Sequence, residues 1–149
     1  LVLEVHGPRS SYHGDEQTVK EIEILARKHP AIRLHPEFPS SRRSEVLAML
    51  DGVAVPSLWE EGFGLVAREA RAVGLPVLAS SIGGLAQLQG DPGVKLIAPG
   101  DQAAWVEALA VFERGLIPPL SPIKCSEEMT AQVLKIYQSV LEERAQQVA

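Results

Sequence analysis

The sequence predicts an α/β fold, a parallel sheet with helices on both of its faces. Three observations carry that expectation. Short apolar runs alternate with helix-period segments from residue 1 to about residue 115, the order that produces parallel strands joined by crossover helices. The apolar runs lack strict polar/apolar alternation, as strands covered on both sides do. Gly7-Pro8, Pro30, Gly74 and Gly115 stand where one pattern gives way to the next, the positions at which such residues end strands and helices.

Each element can be justified in turn. "LVLEVHG" (1–7) is a short apolar run closed by Gly7-Pro8 and reads as a strand. In 16–29, Val19, Ile22, Leu25 and Ala26 recur at helical spacing until Pro30 stops them. "AIRLHPE" (31–37) is a second strand, and 39–50 a helix with a serine start. "GVAVPS" (52–57) is a third strand. A glycine turn and a helix over about 64–73 follow, ended by Gly74. "PVLAS" (76–80), a short helix at 83–89, "VKLIAP" (94–99) and a helix at 102–115 complete the alternation. The proline-rich "IPPLSP" (117–122) reads as a linker. A final helix over about 126–147 starts at Ser126, with Glu127 and Glu128 favourable in its first turn. Met129, Val133, Tyr137 and Val140 lie along one side of it.

Composition narrows the function. A chain of 149 residues is about one domain's worth, and 46% hydrophobic residues exclude disorder. The net charge of -5, with both signs interspersed, argues against a nucleic-acid partner. A single cysteine, Cys125, excludes an internal disulfide framework and a cysteine zinc site. A cytoplasmic setting fits that usage. No apolar run approaches the roughly 18 residues that span a bilayer. The start at "LVLEVHGP", without methionine, reads as a fragment or processed chain.

In a parallel α/β sheet, ligands bind beyond the carboxyl ends of the strands. The loop after Ser57 holds the most chemistry: "SLWEEGFGLVAREARAVGLPVLAS" (57–80) sets Glu61 before a Gly-Phe-Gly turn and Glu69 inside the following helix. A helix N-terminus offers free N–H groups and partial positive charge, and glycines let a ligand approach that backbone. A carboxylate can accept two hydrogen bonds from a vicinal diol. Together these suggest a sugar nucleotide, with its ribose, diphosphate and sugar. The plainer alternative is a surface loop followed by a helix whose glutamate is merely solvated. A lone G-x-G does not decide between them, and no dinucleotide fingerprint or Walker loop is present.

The ordered pattern Pro56-Ser57, Glu61, Gly62-Phe63-Gly64-Leu65, Glu69-Ala70, Gly74-x-Pro76-Val77 and Gly83-Gly84 resembles the signature region of the retaining family-four glycosyltransferases of the GT-B fold. "LVLEVHGP", "IRLHPEFP" and "LIAPGD" fit its flanks, so the resemblance covers about residues 1–115. It implies the Rossmann-like C-terminal half of a GT-B fold with its first strand missing. Residues 1–116 are then the nucleotide-sugar-binding domain, with 117–149 a linker and a terminal helix packed on it. It implies catalytic contacts of Glu61 with donor-sugar hydroxyls and ribose binding by Glu69. Backbone amides around Gly62, Phe63, Gly64, Leu65 and Val66 would hold sugar hydroxyls and diphosphate. Glu37, Phe38 and Pro39 would sit by the base. The donor would be a UDP- or GDP-hexose and the transfer retaining. The fold implies no metal or other cofactor, and no aspartate-x-aspartate pattern is present.

The sequence also departs from the pattern. The acceptor-binding N-terminal domain is absent. So is the opening strand with its Gly-Arg and following lysine, whose charge neutralises the diphosphate. A helix N-terminus supplies only about half a charge, so the isolated chain is expected to be inactive. Gln87 stands where the family usually has glutamate, and His6 near its early Gly-x-Gly. In the usual strand order 3-2-1-4-5-6 the missing strand is central. The strands at 1–7 and 52–57 must then pair with each other, accept a strand from another chain, or belong to a longer protein. An exposed strand edge would permit a homodimer, and the complete enzyme could touch a membrane peripherally. The rival readings are a GT-B sugar-nucleotide epimerase and a non-catalytic interaction module. Among other residues, His6, His13, His29 and His35 lack metal-ligand spacing. Cys125 reads as an inert thiol, Trp59 as a loop packing anchor, Trp105 as core, and Arg42-Arg43 as a solvated helix face.

Overall fold

The computed structural model describes residues 1–7, 16–112, 130–131 and 133–139. The chain forms two compact units, Leu1–Met49 and Leu50–Ala149. The domain boundary expected at 116/117, His13 and Cys125 lie outside the described residues. Within the terminal segment, 130–131 and 133–139 are helical, with Val133 and Tyr137 exposed; Met129 and Val140 are not among the described residues.

The first unit contains β1 (Leu3–His6), α1 (Glu16–Lys28), β2 (Ile32–His35), a 3-10 turn (Ser40–Arg42) and α2 (Arg43–Ala48). α1 forms where the apolar spacing places it. Glu16 in its first turn and Arg27 and Lys28 in its last complement the helix dipole. β1 and β2 pair in parallel, Leu3 opposite Ile32 and His6 opposite His35. Because side chains alternate across a strand, Leu3 and Val5 fall on one face with Ile32 and Leu34. Glu4, His6, Arg33 and His35 fall on the other. Among the described residues of this unit, only Val46 and Leu47 are buried. α1 buries none of its residues; Ile22 and Leu25 of its apolar stripe are 41% and 49% exposed.

The second unit contains β3 (Val53–Val55), α3 (Leu65–Ala72), β4 (Val77–Ser80), α4 (Gly83–Ala86), β5 (Val94–Ile97) and α5 (Gln102–Ala110). Its sheet is parallel in the order β3-β4-β5. β4 is buried at all four positions, which explains its unbroken apolar run. α3 turns Ala67 and Ala70 inward, both with no exposed surface, and their small side chains let the helix lie close to the sheet. It ends at Gly74, whose φ of 84° only glycine adopts readily. Leu78, Ile97 and Ala108 form a buried cluster against which Trp105, Leu109 and Phe112 pack. Trp105 is thus a core residue, as its helix predicts. Asp101 caps α5 by accepting a hydrogen bond from the Ala104 amide at 3.0 Å.

One buried ion pair crosses this unit. Arg71 is 2% exposed, and its guanidinium lies 3.0–3.1 Å from Asp91 Oδ1 while also donating to the Leu75 carbonyl. Gly93 is where it is because of that guanidinium: a Cβ there would sit 2.1 Å from Arg71 Cζ.

The strands pair in two parallel hydrogen-bonded sets, β1-β2 and β3-β4-β5. The helix expected over 39–50 begins as a 3-10 turn before becoming α2.

Candidate functional site

The loop after β3 is held by polar contacts. Ser57, buried, donates its hydroxyl hydrogen bond to the Glu61 carboxylate. The Gly84 amide donates to the Glu61 carbonyl at 2.6 Å. Glu61 is therefore fixed at both its side chain and its backbone while remaining half-buried.

Two glycines at the start of α4 make this approach possible. A Cβ on Gly83 would lie 2.6 Å from the Glu61 carbonyl oxygen and 2.8 Å from its nitrogen. One on Gly84 would lie 2.6 Å from the Gly62 carbonyl oxygen and 2.7 Å from Phe63 Cα. Those contacts are with backbone, which cannot swing aside, so any side chain at either position would displace the loop.

The Gly62-Phe63-Gly64 turn delivers the chain into α3. Gly64 takes a left-handed φ of 70° at the N-cap, and no side chain caps that end. The first intrahelical bond runs from the Arg68 amide to the Gly64 carbonyl at 3.2 Å. The amides at the start of α3 are thus left to face whatever occupies the helix mouth. Leu65 and Val66 are exposed, at 61% and 55%, and do not bury that end under their own side chains. Glu69 stands half-buried in the second turn of α3.

Arg68 grips the same turn. Its Nε donates to the Phe63 carbonyl at 2.9 Å, its Cζ lies 4.1 Å from the centre of the Phe63 ring, and Nη2 lies 3.4 Å from Gln87 Oε1.

In the first unit, Glu37 and Phe38 line a cavity of about 420 Å³ together with Glu4, His6, Arg33 and Arg42. Glu4 accepts from His35 Nε2 at 2.5 Å and from Arg33 at 3.0 Å. The bond from His35, with the Arg33 charge beside it, holds the Glu4 carboxyl below its ordinary range. The His6 ring stacks on His35 with centroids 4.5 Å apart and meets the edge of Phe38 at 5.5 Å. Burial, reinforced by the neighbouring His35, pushes the His6 imidazole below its usual value.

The second unit thus gathers Glu61, Gly62, Phe63, Gly64, Leu65, Val66 and Glu69 into one loop-and-helix segment, while Glu37 and Phe38 belong to the cavity of the first. Trp59 is corrected: its indole is 70% exposed. The loop is anchored by Ser57, Glu61 and the Gly83-Gly84 backbone, so the tryptophan does not need to pack. Arg42 pairs with Glu45 at 3.1 Å and remains exposed. Three contacts escaped the sequence reading: Ser57 with Glu61, Arg68 with Phe63, and Glu4 with His35. The first two lie within five residues, but in a loop and at its exit, where no periodicity announces a contact. The third spans two strands and depends on register. Among the described residues no three His, Cys, Asp or Glu side chains are grouped as a metal site. No helix among them is long and apolar enough to cross a membrane.

A Rossmann-like parallel α/β chain with a glutamate-flanked glycine turn at a helix mouth is the class that the geometry defines. Residues 5–112 match the family described as Glycosyl transferases group 1. The chain belongs to that family. It is 40% identical over 114 residues to a D-inositol 3-phosphate glycosyltransferase of Nocardia farcinica, covering 74% of this chain and 25% of the relative. With its counterpart in Corynebacterium glutamicum it shares 44% identity over 108 residues, 71% of this chain and 24% of the relative. The chain therefore spans about a quarter of the length of these curated relatives. Among solved structures, sucrose-phosphate synthase from Thermosynechococcus elongatus superposes with a TM-score of 0.67 at 23% identity, over 95% of this chain and 39% of the other. HepE of Anabaena, solved in complex with UDP, gives 0.61 at 20% identity, over 98% and 41%. The fold is that of the GT-B glycosyltransferases.

Proposed function

We propose that the chain is the donor-binding part of a retaining glycosyltransferase that takes a nucleotide sugar, a UDP- or GDP-hexose, and passes the sugar to an acceptor. The observation that carries this reading is the doubly held Glu61 beside the uncapped mouth of α3. A carboxylate held by a buried serine, on a residue whose backbone carbonyl is held by the Gly84 amide, can accept hydrogen bonds from sugar hydroxyls with little reorganisation. The amides from Gly62 to Val66 suit the sugar hydroxyls and the diphosphate. Glu69, one turn further, suits the ribose diol. In the first unit, the aromatic and charged lining around Glu37 and Phe38 suits a base. HepE's complex with UDP supports a uridine donor.

In the transfer, the bond from the anomeric carbon to the departing phosphate breaks as the acceptor oxygen bonds to the same face, which retains configuration. The acceptor's proton leaves with the phosphate. Glu61 orients the sugar in this scheme and forms no covalent bond to it. The helix mouth supplies about half a positive charge, so further cations are needed to stabilise the diphosphate as it leaves. The chemistry calls for no metal, and a cytoplasmic setting suits it.

Calorimetric titration with UDP, GDP and their sugar conjugates tests the reading. One nucleotide is expected to bind, and Glu69→Ala to abolish that binding while leaving the fold intact by circular dichroism. Binding that survives Glu69→Ala would remove the ribose role. Conversion of a sugar nucleotide to its epimer without any acceptor would replace transfer with epimerisation.

A further inference from the structure

We propose that Arg68 is a positioning residue that clasps the Gly62-Phe63-Gly64 turn in the shape the donor requires. The proposal rests on the donor-binding reading above. The turn touches the protein on two sides. On one side it meets the start of α4, where Gly83 and Gly84 permit backbone-to-backbone contact with Glu61, Gly62 and Phe63. On the other, Arg68 reaches back from the first turn of α3. Its guanidinium covers the Phe63 ring at 4.1 Å, donates to the Phe63 carbonyl at 2.9 Å and approaches Gln87 at 3.4 Å.

The turn needs such a clasp. Gly62 is exposed and Gly64 holds a left-handed φ of 70°. Two glycines two positions apart give the backbone many alternative conformations, most of which would aim the amides elsewhere. Fastening the carbonyl of the one residue between them removes that freedom. The bond to the Phe63 carbonyl also fixes the orientation of the Phe63–Gly64 peptide at the mouth of α3. A planar guanidinium can do both tasks at once, because it stacks on an aromatic face while its edge donates. Gln87, reached by Nη2, steadies the far end of the fork. Arg68 itself need touch no substrate.

The test compares the whole chain with its Arg68→Leu and Arg68→Lys variants by two measurements. Hydrogen exchange of the free protein reads the turn, and calorimetry with UDP and a UDP-sugar reads the donor. Arg68→Leu is expected to speed exchange at residues 62–66 alone and to weaken binding roughly tenfold, less than the full worth of one charged hydrogen bond and one cation–π contact because the loosened turn can still reach the bound shape. Arg68→Lys, which keeps a cation over the ring, is expected to recover part of both. Phe63→Leu combined with Arg68→Leu is expected to cost no more than Arg68→Leu alone. Unchanged exchange at 62–66 in Arg68→Leu overturns the proposal. So does faster exchange spread over β4 and α5, which would make Arg68 an ordinary packing residue. If the unsubstituted chain binds no nucleotide while Arg68→Leu still loosens the turn, the donor reading falls and the clasp stands as a property of the turn.

Discussion

The two units of the chain solve the same structural problem with different means. In the second, β4 is buried at every position, the helices bring Ala67, Ala70, Leu85 and Ala108 against the sheet, and even a charge pair is enclosed. In the first, β1 alternates between exposed and half-buried positions, α1 buries nothing, and one sheet face carries Glu4, His6, Arg33 and His35. The difference teaches where order originates. Apolar burial of about 25 cal/mol per Å² offsets backbone entropy in the second unit. The first leans more on exposed and half-exposed polar contacts, which contribute far less each. The glycine turn, which must hold an awkward backbone shape, belongs to the unit with the buried core.

That contrast can be broken by substitution, most forcefully at the buried ion pair. Asp91→Ala leaves the Arg71 guanidinium enclosed without its counter-charge and is expected to destabilise the second unit by about 3–5 kcal/mol. Urea unfolding followed by tryptophan fluorescence would report it, since Trp105 packs on the core of that unit. A midpoint unchanged by Asp91→Ala would mean that water reaches Arg71 and that the unit is less closed than described.

A matched pair of truncations sharpens the comparison. Leu85, with no exposed surface, also packs where a Cβ on Gly64 would meet it at 2.5 Å. Leu85→Ala is expected to cost about 2–5 kcal/mol and to loosen the turn. Ile22→Ala on the half-exposed face of α1 is expected to cost under about 1 kcal/mol. Equal losses at the two positions would show that the Ile22 face of α1 is covered rather than exposed.

The smallest effect is one of pH. The His6 imidazole is held below its ordinary value near 6.5, so the unfolded chain takes up a proton there before the folded one does. Its contribution to stability is complete above about pH 6.5 and is lost as the pH falls towards the folded value. Glu4, also depressed, adds a second loss in the same direction, starting below its ordinary 4.5. Protection of the β1 and β2 amides, measured relative to their intrinsic exchange rates at each pH, is therefore expected to fall from about pH 7.5 to about pH 5.5, and His6→Gln to remove that change. A pH response equally strong in β4 would assign it to something other than His6.

Much of the chain was legible as sequence because its signals are local. The helix period in 16–29 yields α1, Gly74 ends α3, and the unbroken "PVL" yields the buried β4, each within a residue or two of expectation. The order of glutamate, glycine turn, glutamate and Gly-Gly marked the family and a candidate site for the same reason, since these residues lie on one continuous stretch. Tertiary structure alone decided the rest. Gly83 and Gly84 matter because backbone of Glu61 to Phe63 arrives at them from elsewhere in the chain. Arg71 is a core residue because Asp91, twenty positions on, is brought to it. Trp59 stays in solvent because polar contacts already hold its loop. The split into two sheets follows from which strands find hydrogen-bonding neighbours. Propensity and periodicity act between residues close in sequence, whereas burial, charge pairing and strand partnership depend on groups that only folding brings within reach.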